Sequence, residues 1–171
     1  MKVYPKILEP KDFEIIQLVN GKEVLIPVAQ PRFKEWAGEP IEDSYGGKAI
    51  LDFDGEPLFA ELAILRAFQK ENWNGVWIDT YGKKYRTDWI NKNGVVLPSD
   101  KILLLDKIYK NLGSKNGCWD VFCWKEEKVI FAESKRFSKD GIRETQVKFF
   151  EAALNSGLTN ESFLIVEWSL K

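Results

Sequence analysis

Residues 118–135 constrain this chain more than any other stretch. They hold two short runs, 118–124 and 128–135, that are apolar on both faces of an extended strand and flank Lys125-Glu126-Glu127-Lys128. In the first run Phe122 and Trp124 alternate with Trp119, Val121 and Cys123; in the second Val129 and Phe131 alternate with Ile130 and Ala132. Strands with no polar face are central strands covered on both sides, so the fold needs a sheet with layers packed above and below it. A turn centred on Glu126-Glu127 makes the two runs an antiparallel hairpin. In that register Asp120 lies directly opposite Glu133 and Lys135 opposite Cys118, with opposed Cβ atoms about 4.5–5.5 Å apart. Glu133 and Lys135 are two residues apart and share a face. Two carboxylates and an ammonium therefore converge at one end of an apolar hairpin, where charge is costly unless paired or bound to metal. A solvated cross-strand charge cluster is the ordinary reading of a Glu-x-Lys pattern, and the apolar neighbours argue against it here. A register slipped by one residue would send these groups to opposite faces.

Around this hairpin the chain alternates strands and helices. Residues 13–19 and 23–28 are strand-like and joined by Asn20-Gly21, a strong hairpin signal. Residues 31–45, interrupted by Pro31, Gly38 and Pro40, read as a loop. A short strand over 48–53 ends at Asp54-Gly55, and a helix over 57–71 starts at Pro57, a residue suited to a first turn. Residues 76–81 form a strand, and 82–93 are polar and basic. A helix over 98–112 carries Ile102, Leu105, Ile108, Tyr109 and Leu112 on one stripe and closes at Gly113. A third helix is expected over 140–156, capped by Asp140 with Gly157 behind it, followed by a strand over 163–168. The expectation is one α/β domain: residues 1–47 as an N-terminal β-rich extension with a hairpin, and residues 48–171 as a mixed central sheet flanked by helices.

Composition narrows the chemistry. The chain of 171 residues contains no histidine. Ser-His and Cys-His nucleophiles, imidazole zinc sites and histidine-base nucleases are excluded, leaving carboxylates, lysine and a hard metal ion for hydrolysis. Two cysteines, Cys118 and Cys123, are too few for a disulfide framework or a thiolate zinc site. A reducing, cytoplasmic setting is the expectation, with no signal-like opening and no apolar run of the roughly 20 residues that span a bilayer. The formal net charge is -1, so any nucleic-acid binding rests on a local patch.

Two further polar residues stand on apolar stripes. Gln146 falls with Ile142, Phe149, Phe150 and Ala153 in the third helix, and Glu61 with Leu58, Leu62, Leu65 and Phe68 in the first. The plainer alternatives are a satisfied core amide and a helix-flank carboxylate paired with Arg66.

The stretch Gly117-Cys118-Trp119-Asp120, then Phe131-Ala132-Glu133-Ser134-Lys135, then Gln146 in the next helix resembles the PD-(D/E)XK nuclease superfamily. The downstream Gln, with Gly157 and Phe163-Leu164-Ile165-Val166, is similar to its VRR-NUC and Holliday-junction-resolvase-like branches. The likeness covers roughly the last third of the chain. No Pro precedes Asp120, and the final strand reads Val166-Glu167-Trp168 rather than Val-Arg-Arg. The resemblance implies a restriction-endonuclease-like fold and metal-dependent hydrolysis of phosphodiester bonds, in DNA first and RNA second. It implies Mg²⁺ or Mn²⁺ held by Asp120, Glu133 and the Ser134 carbonyl, with Glu61 as a further ligand from the helix preceding the core sheet. Lys135 would orient the attacking water and stabilise the pentacoordinate phosphate, and Gln146 would fix that water or Lys135. Many resembling enzymes cut as dimers, so a homodimer belongs to the expectation.

Arg136, Lys139, Arg143 and Lys148 form one candidate phosphate-contacting stretch. Lys83, Lys84, Arg86 and Lys92, flanked by Tyr85 and Trp89, form a second. Two other readings remain open at this point: a nucleic-acid-binding module of the same fold without turnover, and a protein-interaction domain whose tryptophans serve a partner.

Overall fold

The computed structural model describes residues 3–42, 46–89 and 93–171. In chain order its elements are β1 (Asp12–Gln17), β2 (Glu23–Ala29), β3 (Arg32–Glu35), β4 (Leu51–Phe53), β5 (Glu56–Leu58) and α1 (Ala60–Lys70). They continue with β6 (Asn74–Asp79), β7 (Lys84–Arg86), α2 (Ser99–Leu112), β8 (Val121–Lys125), β9 (Lys128–Arg136), α3 (Glu144–Asn155) and β10 (Phe163–Leu170). The strands make one curled mixed sheet.

The hairpin of β8 and β9 forms in the register that its apolar alternation demands, with Lys125 opposite Lys128 and Val121 opposite Ala132. β6 lies antiparallel to β8 on one side, and β10 lies parallel to β9 on the other. The free edge of β10 is shared by two strands. Ile165 and Val166 face Val28 and Ala29 of β2, and Ser169 and Leu170 face Arg32 and Phe33 of β3. β2 and β3 thus run in the same direction along β10, parted only at Gln30-Pro31, and the N-terminal segment is stitched into the main sheet. There the sheet forks: β1 hangs on β2, while β4 and β5 hang on β3.

Strand alternation sorts the core into two layers. Val121, Cys123, Ile130, Ala132, Leu164 and Val166 face α1 and its Leu62, Leu65 and Phe68. Phe122, Phe131, Phe163 and Ile165 face α3, α2 and the β1–β2 hairpin. Each central strand therefore needs apolar residues at every position, which is the pattern in its sequence. α2 ends as expected at Gly113, which takes the left-handed conformation (φ 77°). On its stripe, Leu105 and Ile108 are buried but Ile102 is exposed, because α2 covers the sheet only in part.

Three expectations are corrected. Residues 31–45 are not all loop: β3 lies within them and buries Phe33. Tyr45, at the end of that stretch, lies outside the described residues. Pro57 does not start a helix. Asp54 and Gly55 (φ 51° and 85°) close a tight hairpin between β4 and β5, and Pro57 sits in an edge strand, where a missing N–H costs little. The third helix begins at Glu144, and Asp140 instead accepts the Arg136 N–H in a turn after β9. Among the described residues no helix is long and apolar enough to cross a membrane.

Candidate active site

Glu133 and Lys135 continue the inner face of β9 beyond Phe131, at the end of the sheet where the N-terminal turn of α3 crosses. Both are buried, at 2% and 6% exposure, so each charge needs a partner. Lys135 Nζ lies 3.1 Å from Glu133 Oε1 and donates to Gln146 Oε1 at 3.2 Å. Gln146 Nε2 donates to Glu133 Oε1, and Gln146 Oε1 also accepts the Arg143 N–H at 2.9 Å. An amide is the side chain that can do this, since it accepts from an ammonium and an N–H while donating to a carboxylate. Gln146 is thus a satisfied buried amide whose partners are the two charged residues of the hairpin.

Asp120 sits one residue ahead of β8, opposite Glu133. The two strands are cross-tied through these side chains: the Asp120 N–H donates to Glu133 Oε2 at 3.1 Å, and the Ser134 N–H donates to Asp120 Oδ2 at 3.0 Å. Ser134 Oγ accepts from Trp168 Nε1 at 3.1 Å. Just upstream, Gly117 (φ 78°) passes so close to α3 that a Cβ there would lie 2.1 Å from the Thr145 carbonyl oxygen. The chain leaves strand geometry at this point, and Trp119 is carried to the α3 face rather than the face of Val121 and Cys123. Its ring packs edge-on against Phe163 and its Nε1 donates to the Gln146 carbonyl at 3.1 Å.

Electrostatics follow from this crowding. Burial and then the neighbouring Glu133 and Glu61 carboxylates push the Asp120 carboxyl well above its ordinary range. Burial also raises Glu133, and Lys135 pulls it partly back. Both groups hold protons more tightly folded than unfolded, so folding takes up protons. Their contribution to stability is complete below the ordinary carboxylate range and is lost as pH climbs through the raised folded values. The metal-free protein is therefore expected to melt higher near about pH 5 than near about pH 7.5, with Asp120→Asn flattening that slope. Thermal melts at the two pH values check this; an unchanged slope in the variant would contradict it.

Glu61 approaches the same point from the first turn of α1. Its partner is not Arg66, which bonds Glu56 at 3.1 Å, but Lys48. Lys48 also stands 4.9 Å from the Phe59 ring centroid and favours the ionised form of Asp120. Nothing in the sequence singles out Lys48. A lysine after two glycines reads as a surface residue until the fold brings it to Glu61.

A cleft of about 1190 Å³ is lined by Glu61, Asp120, Glu133, Lys135 and Gln146. Lys83, Lys84, Lys139 and Arg143 border it, together with Lys115, a basic residue that sequence reasoning passed over in the loop before the hairpin. Glu61 and Asp120 join it to a second cleft of about 750 Å³. Among the described residues, the other expected phosphate contacts do not line the larger cleft, although Arg86 lines the smaller one. Arg86 is buried, with its guanidinium committed to Asp79 at 3.3 Å and to the Asp88 and Trp89 carbonyls. Lys148 pairs with Glu144 at 3.3 Å on the exposed face of α3, and Arg136 covers the Trp168 ring at 5.3 Å. Lys92 lies outside the described residues.

Asp120, Glu133 and Glu61 offer only carboxylate oxygens, a donor set suited to Mg²⁺ or Mn²⁺. As the side chains stand, no three acidic, histidine or cysteine residues among those described are grouped to hold an ion. Glu133 is turned to Lys135 and Gln146, and Glu61 to Lys48. Burial and then the Glu133 and Glu61 carboxylates raise the proton affinity of Asp120, and a divalent cation would offset the charge these carboxylates share, so the residues fit the ion in chemistry and charge. Comparison with family models, with curated proteins and with solved structures finds no match to this chain.

Proposed function

We propose that this chain is a metal-dependent nuclease of the PD-(D/E)XK type, with a restriction-endonuclease-like core made by α1, β6, β8, β9, α3 and β10. One observation carries the reading: Asp120, Glu133, Lys135 and Gln146 meet at one end of the central sheet, with Glu61 reaching the same cleft from the helix before it. A mixed sheet with α1 on one face and α3 on the other is the arrangement the resemblance implies. The buried Lys135 is hard to explain as a stabilising device, because an apolar pair usually serves a core at least as well.

Asp120, Glu133, the Ser134 carbonyl and Glu61 would hold a Mg²⁺ or Mn²⁺ ion, which supplies Lewis-acid charge and a more acidic water when bound. Lys135, anchored by Gln146, places an ammonium where it orients the attacking water and offsets charge on the phosphoryl oxygens. Gln146 bonds both Lys135 and Glu133 and so holds the ammonium at the site. Lys83, Lys84, Lys115, Lys139 and Arg143 neutralise phosphates along the cleft, so binding weakens as salt rises.

The test is cleavage of supercoiled plasmid, linear duplex, single-stranded DNA and RNA, with Mg²⁺, with Mn²⁺ and with chelator. Cleavage with either ion and none with chelator is the expected result. Tight, metal-insensitive binding without cleavage of any of the four substrates would replace this reading with that of a binding module.

A further inference from the structure

Hydrolysis as described leaves Lys48 without a role, yet this lysine is built into the carboxylate cluster. Its ammonium is ion-paired with Glu61 and stands 4.9 Å and 5.9 Å from the ring centroids of Phe59 and Trp77. It lines one cavity with Glu61 and Asp120. The cluster holds three carboxylates, Asp120, Glu133 and Glu61, against two ammoniums, Lys135 and Lys48.

The two lysines are held differently. The Lys135 side chain is 8% exposed and fastened by both Glu133 and Gln146. The Lys48 side chain is 36% exposed and sits on a flexible stem against aromatic faces, which hold an ammonium without fixing its direction. One is buried and fastened on two sides; the other is partly exposed and ion-paired with Glu61.

We infer that Lys48 is the resident counter-ion of this cluster: in the metal-free protein its ammonium supplies the positive charge that the divalent cation later brings, and the cation binds by displacing it from Glu61. The identity of that cation rests on the nuclease reading above. A dication and an ammonium competing for one carboxylate in a partly buried cavity repel each other strongly. Binding of the ion therefore works against Lys48, while in its absence Lys48 restrains the repulsion between Glu61 and Asp120. The device sets a threshold of metal concentration below which the site stays closed by its own side chain.

The experiment is calorimetric titration of the whole chain with Mn²⁺, without nucleic acid, for the wild type, Lys48→Met, Lys48→Gln and Lys48→Arg. Circular dichroism shows which variants are folded. The neutral variants are expected to bind Mn²⁺ on the order of tenfold or more tightly than the wild type. Without metal they should also melt below the wild type and recover with Mn²⁺. Lys48→Arg keeps the charge and is expected to bind Mn²⁺ no tighter than the wild type. A folded neutral variant that binds Mn²⁺ with wild-type or weaker affinity overturns the inference, as does tighter binding by the arginine variant. If the wild type binds and cleaves but neutral variants gain nothing, this inference alone fails. If no variant binds Mn²⁺, the nuclease reading fails with it.

Discussion

Asp120→Asn is expected to lower metal-dependent cleavage by at least about 10²–10³-fold, the scale of losing one electrostatic contact at a reacting centre. The same substitution is expected to stabilise the metal-free protein at neutral pH. The asparagine carbonyl still accepts the Ser134 N–H, while the cost of burying a carboxylate and the added repulsion from Glu133 and Glu61 are gone. Gain in stability with loss of activity is the signature of a group kept for function. Lys135→Ala separates the two effects in the other direction. Activity is expected to fall on the same scale, but removing one partner of a buried ion pair costs about 3–5 kcal/mol because the other charge is left uncompensated. Initial rates of plasmid nicking, read beside thermal melts, check both variants. Full activity in either one would remove the proposed site, and a destabilised Asp120→Asn would contradict the electrostatic account.

Phe131→Ala carries the largest expected loss of stability away from the charges. Phe131 is fully buried and central to an aromatic layer. It stacks on Phe122 with centroids 4.4 Å apart at 3°, lies 5.4 Å from Phe163 and meets Phe149 edge-on at 5.3 Å. Truncation removes a large apolar surface and leaves a cavity between rigid rings that cannot collapse into it. The expected cost is about 3–5 kcal/mol. For a chain of this size that is a fall in melting temperature on the order of 10 °C. Cleavage at low temperature should fall less than in Asp120→Asn, because the β8–β9 register is held by backbone hydrogen bonds on both sides. Urea unfolding gives the energy directly; a loss under about 1 kcal/mol would mean that the layer repacks.

How far the molecule was legible in its sequence depends on the range of each interaction. The β8–β9 hairpin was readable because strand alternation is local: Phe122, Phe131 and their neighbours settle which side of each strand is which. The positions of Asp120, Glu133 and Lys135 then follow within one hairpin. The break in the apolar stripe at Gln146 was readable for the same reason. β3 and β5 were not readable: β3 has four residues and pairs with β10 from the far end of the chain, and β5 has three residues with a proline among them, so neither carries enough apolar alternation to announce a strand. Arg86 looked like a surface cation and proved buried, since its aspartate partner lies across the β6–β7 pairing. Trp119 changed face because the close pass of Gly117 over α3 overrides the alternation.

By itself the sequence determined a doubly covered central hairpin, the residues sharing each of its faces, and a chemistry restricted to carboxylates, lysine and hard ions. Those properties depend on side-chain periodicity and residue type, which need no knowledge of the rest of the chain. Only the tertiary structure decided that Glu61 and Lys48 meet Asp120 and that β2 and β3 complete the edge of β10. Those contacts join segments far apart in the chain, and their geometry exists only once the two core layers have closed around the sheet.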